Sequence, residues 1–596
     1  MVREQITALR KEMEKANITA YMVPTSDFHG SEYVGEYFQG RAFLSGFTGS
    51  AGTLVVTQEM AGLWTDGRYF LQAAEQLKDT GIDLFRLDQE GVPNVKEFLA
   101  ETLKPGERLG FDGRVVYARE AEELSQKLEK KGVSICYQMD LVDLVWDNRP
   151  PLSKKAVMIL DVQYAGESRE SKIEKIRQKM KQAGADLFLL TSLDDIAWLL
   201  NIRGNDVKCN PVVLSYLAMT EDQVLLFANQ EAFSEEIEEE LKQAGVFLRD
   251  YQEFYSYIQK IPEDTKVCLD KRKVNYTIVK SLSERVELVN QTNLTLLPKA
   301  VKNQTEMERI REAHRKDGAA VVRFIYWLKT RAAKEKITEL SAAVKLEEFR
   351  GAQKHYMGPS FTPIIGYQAH GAIIHYSATE ESNCQLKPEG LVLLDTGGQY
   401  LEGTTDITRT VALGPVTEEE KMYFTLVLKG NLNLSAAKFL YGCRGINLDY
   451  LARAPLWERG LDYPHGTGHG VGFFLNVHEA PNGFRYQWIP ERGESAVLEE
   501  GMLTSNEPGF YLEGKFGIRH ENLMLCVKDE KNAYGQFMRF DTVTLVPFDL
   551  DAIAKELLSE REKRILNQYH KRVYQTIAPA LEGEVKSWLK EATREI

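Results

Sequence analysis

The 596-residue sequence lacks any long apolar run. Stretches such as Ala156 to Leu160 or Leu391 to Leu394 fall far short of the ~20 apolar residues of a membrane-spanning helix, so no spanning helix is expected. The opening Met1-Val2-Arg3-Glu4-Gln5 runs into charged helical sequence instead of the apolar centre of an export signal, which predicts a cytoplasmic protein. Cysteine is sparse: Cys136, Cys209, Cys268, Cys384, Cys443 and Cys526 form no CxxC pair and no disulfide-like rhythm, so free thiols are expected. Basic residues are in deficit, 74 Lys and Arg against 87 Asp and Glu. The resulting net charge of -13 argues against a nucleic-acid backbone as the main partner, because neutralising phosphates needs a basic face.

What is present reads as ordinary globular sequence, 43% hydrophobic and 27% charged. A chain this long exceeds what one core can organise. The first half contains a repeat. Ile6, Leu9, Met13 and Ala16 stand at helical spacing before the strand pattern Ala20-Tyr21-Met22-Val23, and Ile173, Ile176, Met180 and Ala183 lead in the same register into Leu187-Phe188-Leu189-Leu190. Weaker echoes pair Phe43-Leu44-Ser45-Gly46 with Trp198-Leu199-Leu200-Asn201, and Leu109-Gly110-Phe111-Asp112 with Val267-Cys268-Leu269-Asp270. Two homologous α/β domains are expected, 1–150 and 151–298, joined near Asn148-Arg149-Pro150-Pro151, where paired prolines stop regular structure. Neither carries a catalytic cluster. Gly46-Phe47-Thr48-Gly49-Ser50-Ala51-Gly52 lacks the Lys-Ser/Thr of a phosphate loop and is read as a turn between strands.

A third region, 299–596, opens after Leu297-Pro298. Asn303 with Glu306 makes a capping box ahead of a helix whose apolar stripe includes Met307, Ile310, Val321, Val322 and Ile325. From about 549 the tail reads as surface helices. Between them lies a pattern of strands, glycine turns and histidines. Leu391-Val392-Leu393-Leu394 ends in Asp395-Thr396-Gly397-Gly398, and the chain returns through Gly403-Thr404-Thr405-Asp406 into Ile407-Thr408-Arg409. Two aspartates flanking such a hairpin can face each other across paired strands, although Asp beside Gly is also a common turn former. In His465-Gly466-Thr467-Gly468-His469-Gly470 the glycines permit close backbone approach around His469. Glu507 ends a strand in Thr504-Ser505-Asn506-Glu507-Pro508-Gly509. Glu521 precedes the apolar Leu523-Met524-Leu525-Cys526-Val527, where a carboxylate is costly unless paired or metal-bound. Each alone admits a turn or salt-bridge explanation. Together they are the oxygen-rich set, with one histidine, that a site for two divalent ions requires.

The ordered phrases Leu394-Asp395-Thr396-Gly397, Thr405-Asp406-Ile407-Thr408-Arg409, Gly466-Thr467-Gly468-His469-Gly470, Asn506-Glu507-Pro508-Gly509 and Gly517-Ile518-Arg519 before Glu521 resemble the pita-bread metallopeptidases, the family of methionine aminopeptidase, prolidase and aminopeptidase P. The layout, with Trp146-Asp147-Asn148-Arg149-Pro150 at the first boundary, is similar to the long three-domain cytosolic aminopeptidases P. The resemblance implies an α/β and α+β architecture, two creatinase-like N-terminal domains followed by a pita-bread catalytic domain. It implies Asp395, Asp406, His469, Glu507 and Glu521 as ligands of two divalent ions, by resemblance manganese, with Asp406 and Glu521 bridging. It further implies hydrolysis of the N-terminal Xaa-Pro bond by a hydroxide between the metals, with His375, His478 and His465 around the substrate and Glu507 passing a proton. Peptides with proline at the second position would be the partners, and a homodimer the assembly. His520 departs from the family, which carries an apolar residue before the final glutamate. Two alternatives stand beside this one: a prolidase restricted to Xaa-Pro dipeptides, and a pita-bread module that binds peptides without catalysis.

Overall fold

The computed structural model describes residues 2–490 and 493–596. The chain forms two compact units, Met1–Leu160 with Glu167–Thr295, and Leu296–Ile596 with the short segment Asp161–Gly166. Among the described residues no helix is long and apolar enough to cross a membrane.

The first unit contains the repeat in three dimensions. The helix Val2–Lys15 buries Ile6, Leu9 and Met13 and feeds the strand Ala20–Pro24; the helix Arg169–Gln182 buries Ile173, Ile176 and Met180 and feeds Leu187–Leu190. Each strand lies in a six-stranded sheet of the same plan, antiparallel to one neighbour and parallel to the other. The weaker echoes have a physical basis too. The helices Gly40–Ser45 and Leu193–Leu200 both end on a left-handed residue, Gly46 and Asn201. Asp112 and Asp270, each just past a strand, are each held by two nitrogens of the guanidinium two residues on, Arg114 and Arg272. The glycine-rich segment after Ser45 differs from expectation. It joins a helix to the strand Thr53–Thr57, not strand to strand, and the buried Arg41 binds the carbonyls of Phe47 and Gly49.

The second unit opens with the helix Gln304–Arg331, and both halves of the Asn303–Glu306 capping box form. Asn303 also donates from Nδ2 to the Ala165 carbonyl at 2.8 Å, which ties down the Asp161–Gly166 segment. The buried face of this helix packs with strands Ile364–Tyr367, Leu391–Thr396 and Ile407–Ala412, which form a three-stranded sheet. A second sheet contains, in spatial order, Lys438–Leu440, Gly535–Thr542, Asn522–Asn532, Leu503–Asn506, Gly468–Gly470 and Glu479–Phe484. A hairpin of Gly509–Leu512 with Phe516–Arg519 completes the strands around the site. The tail is more than a surface feature. Helices Glu560–Ile577 and Gly583–Ala592 are amphipathic, and Val573, Ile577 and Leu589 enter the same core as the long helix.

The capping box generates a prediction. Asn303→Ala removes the cap and the bond to Ala165, and should cost about 1–2 kcal/mol, read as a lowered denaturant midpoint. Asn303→Asp keeps the cap acceptor and should lose about half as much. Equal losses would mean that the cap contributes nothing beyond the tether.

Candidate metal centre

Five chain segments converge in the second unit. The strands Leu391–Thr396 and Ile407–Ala412 pair antiparallel with Asp395 opposite Thr408, so Asp406, two residues before Thr408, lies on the diagonal from Asp395. His469 sits in the middle of Gly468–Gly470, between two neighbouring strands. The glycines on either side are there for space: a methyl group at Gly468 would meet the Ser505 carbonyl oxygen at 1.9 Å, and one at Gly470 the Glu479 carbonyl oxygen at 2.2 Å. Glu507 follows the strand Leu503–Asn506 and is held by its N–H to the Thr467 carbonyl at 2.8 Å. Glu521 lies between Phe516–Arg519 and Asn522–Asn532, its N–H bonded to the Thr408 carbonyl at 3.0 Å.

The side chains meet. His469 Nε2 lies 3.5 Å from Asp406 Oδ2 and 3.4 Å from Glu507 Oε1. Ligating atoms of Asp406, His469 and Glu521 all fall within 4.8 Å of one another. Asp395, on the diagonal from Asp406, accepts at Oδ2 from Arg519 Nη2. Four carboxylates therefore crowd together in a buried place. Burial first, and then Glu521, Asp395 and Glu507, push the Asp406 carboxyl well above its ordinary range; burial, Glu507 and Asp395 do the same to Glu521. Burial pushes Glu507 up to about 7, opposed by the Arg519 charge and assisted by Asp395.

This donor set fits divalent cations. Asp395 Oδ1 and Glu521 Oε1 are buried and have no hydrogen-bond partner among the described residues, a costly state for carboxylate oxygens unless a cation is supplied. Carboxylates with one imidazole are the ligand types of hard-to-intermediate divalent ions.

Around this group, His478 packs edge-on to the His469 ring with centroids 4.3 Å apart. His375 is half-buried and follows Ile374, whose carbonyl accepts from Arg519 Nη2 at 3.4 Å. His465 is tied into a chain of bonds: Nδ1 lies 2.7 Å from the Gly466 carbonyl and Nε2 2.8 Å from the Tyr511 hydroxyl, which accepts from Arg519 Nη1 at 2.6 Å. Burial, reinforced by the Arg519 charge, lowers the His465 ring to about 3, so it is neutral with its proton on Nδ1, donated to Gly466. Tyr511 is the residue that sequence reasoning missed. The sequence reading stopped at the strand end and turn of Glu507-Pro508-Gly509, and nothing local shows that the Tyr511 hydroxyl joins His465 to Arg519. His520 is fully buried edge-on to Phe424 and Phe548, at 4.3 and 5.4 Å, and burial and Arg409 hold its ring well below the usual imidazole range. It packs among these aromatics as a neutral ring.

Comparisons with known proteins agree with this geometry. Models of the Creatinase/Prolidase N-terminal domain match 5–144 and 148–306, that of metallopeptidase family M24 matches 308–528, and that of the C-terminal region of peptidase M24 matches 536–596. Aminopeptidase P2 of Arabidopsis thaliana is 38% identical over 100% of this chain and 88% of its own length. A probable Xaa-Pro aminopeptidase P of Botryotinia fuckeliana is 39% identical, over 98% of this chain and 92% of its own. The chain belongs to the aminopeptidase P family of M24 metallopeptidases. The crystal structure of an X-prolyl aminopeptidase from Caenorhabditis elegans, described as a cytosolic enzyme with a di-nuclear active site, superposes with a TM-score of 0.94 at 35% identity, covering 100% of both chains. The aminopeptidase P fold of two creatinase-type domains before a pita-bread domain is thus the fold of this chain.

The crowded carboxylates make stability depend on pH. In metal-free protein, a Glu507 raised to about 7 binds a proton in the folded state that the unfolded state has already lost. Its contribution is complete below the unfolded value and is lost as pH rises from about 4.5 through about 7. Added Mn2+ should therefore raise Tm more at pH 8 than at pH 6, measured by scanning calorimetry on chelator-treated protein. An increment independent of pH would show that the carboxylates do not take up the ion.

Proposed function

We propose that this aminopeptidase P family member hydrolyses the bond between an N-terminal residue and a following proline, and that Asp395, Asp406, His469, Glu507 and Glu521 hold two divalent ions for that reaction. The observation that carries the reading is the convergence of Asp406, Glu507 and Glu521 on His469 with Asp395 across the strand pair, and Arg519 as the one guanidinium bonded to these carboxylates among the described residues. By the resemblance, Asp406 and Glu521 would be shared between the ions, Asp395 would hold one, and His469 with Glu507 would hold the other. The ions are manganese, by the resemblance. When bound, they supply an acidified water and a polarised scissile carbonyl.

The remaining roles belong to the chain. Glu507, with high proton affinity from burial, accepts a proton at a carboxylate oxygen and returns it to the proline nitrogen as the bond breaks. His478, beside His469, and His375 donate hydrogen bonds to the oxyanion. Arg519 fixes Asp395, and through Tyr511 it engages the neutral His465, which holds that hydroxyl at the edge of the site. The need for such a site lies in the substrate. A bond to proline has no N–H and its ring locks φ, so recognition of the scissile amide as an extended strand fails. Peptides with proline in second position are the partners in this reading. The division 1–150, 151–298 and 299–596, a cytoplasmic location and a homodimer complete it, with the cytosolic description of the nematode relative supporting the location.

The test is hydrolysis of Arg-Pro-Pro, Gly-Pro and Met-Ala-Ser by metal-stripped protein with and without Mn2+. Release of arginine from the tripeptide, dependent on Mn2+ and with little action on the others, is expected. Cleavage of Gly-Pro alone would make the protein a prolidase, and inactivity with every divalent metal would leave a peptide-binding module. His478→Ala and His375→Ala should each lower kcat by roughly 10²–10⁴-fold while metal content stays at the wild-type level. Loss of metal in either variant would make that histidine a support for the ligands instead.

A further inference from the structure

A second cluster of ligand-type side chains lies outside the five-residue centre. Glu339, at the start of the helix Glu339–Gly351, is fully buried, while His370 and Cys384 are half-buried. One ligating atom from each lies within 4.8 Å of the others. His370 Nδ1 is 2.8 Å from Glu339 Oε1 and 3.7 Å from Cys384 Sγ. Two of the three are fixed by their backbones: the Glu339 N–H donates to the Cys384 carbonyl at 3.1 Å, and the Cys384 N–H to Glu339 Oε2 at 3.2 Å. The carboxylate is oriented further by the Tyr367 N–H at 3.0 Å and the Tyr376 hydroxyl at 2.8 Å. The His370 ring stacks on Tyr376, with centroids 4.6 Å apart, and its side chain keeps 29% exposure, an approach from solvent.

We propose that Glu339, His370 and Cys384 form a binding site for one thiophilic divalent ion of the zinc type, distinct from the carboxylate centre. Tetrahedral zinc, bound at about 2.0–2.3 Å, spreads its nitrogen, oxygen and sulfur ligands to roughly 3.4–3.6 Å apart. The imidazole–thiol distance already matches, and the imidazole–carboxylate pair has to open by only about half an ångström. Three protein ligands of the types Cys, His and Glu leave the fourth position to a water on the exposed side. On binding, Cys384 Sγ–H gives its proton to solvent and the His370 proton resides on Nε2, so that Nδ1 and the thiolate both face the ion. The bonds from Tyr367, Tyr376 and the Cys384 N–H are the outer contacts that orient a ligating carboxylate. Sulfur chemistry separates this site from the other, whose five residues include none. An ion here would pin the Tyr367–Tyr376 segment, on which His375 lies.

The full-length chain, with excess Mn2+ present, is titrated with Co2+ while the near-ultraviolet thiolate-to-cobalt charge-transfer band is followed. A band saturating at one equivalent per chain and bleached by Zn2+ is expected. It should vanish in Cys384→Ser, persist in Cys443→Ser, and require at least tenfold more Co2+ in His370→Asn. Both Cys384→Ser and His370→Asn should keep the wild-type Tm in the absence of cobalt and their Mn2+-dependent tripeptide hydrolysis, which shows that they are folded. Absence of the band from the wild type, or a band unchanged in Cys384→Ser, would overturn the proposal and leave the cluster a hydrogen-bond network around Glu339. The readout is independent of whether the carboxylate centre is a peptidase site.

Discussion

The structure around the centre depends on one unfavourable interaction, the mutual repulsion of four crowded carboxylates, three of them buried. Asp395, Asp406 and Glu521 are buried and Glu507 is half-buried beside them, and among the described residues one guanidinium, Arg519, is bonded to this group, at Asp395. Without cations, the folded state can hold these groups only by keeping protons on some of them, which is why Asp406, Glu507 and Glu521 all resist ionisation. A surplus of negative charge fixed by backbone in several strands is poor for stability. It is well suited to binding two doubly charged ions, because the cations relieve the repulsion that folding has built in.

The surrounding fold holds that charge in place. The ladder from Leu391 to Ala412 sets Asp395 against Thr408, and Thr408 in turn donates from its hydroxyl to Glu521 Oε2 at 2.8 Å. Ser505 Oγ accepts the His469 N–H at 2.9 Å and lies 3.3 Å from Glu507 Oε1, so one hydroxyl links the histidine strand to the glutamate. The glycines flanking His469 let three backbones approach more closely than any side chain would allow. The long helix, its capping box and the two tail helices back the Asp395 sheet with a shared apolar core. Rigidity of this kind is what a centre with little tolerance for displaced ligands requires.

Much of this was legible in the sequence because the informative signals are local. Asp395, Asp406, His469, Glu507 and Glu521 each stand in or beside a short strand within a distinctive local phrase, so the sequence could single out the residues that the fold brings together. The front repeat was legible for a similar reason, since helix and strand recur at a fixed offset. What escaped depends on contacts between distant residues. Tyr511 is bonded to His465 and Arg519, which no spacing reveals. Asp161–Gly166 joins the second unit although it interrupts the first, through an asparagine 138 residues further along the chain. The tail looked like surface because its charged face dominates the composition, while the apolar positions Val573, Ile577 and Leu589 are few. Glu339, His370 and Cys384 are each unremarkable alone and become a cluster only when the chain folds.

The most direct test of this account is to count the ions bound by the folded chain. Native mass spectrometry of chelator-treated protein titrated with Mn2+ should show two ions per chain at the carboxylate centre, reduced in Asp406→Asn and Glu521→Gln together with tripeptide hydrolysis. Binding of two ions unaffected by either substitution, or full hydrolysis by the metal-depleted variants, would contradict it.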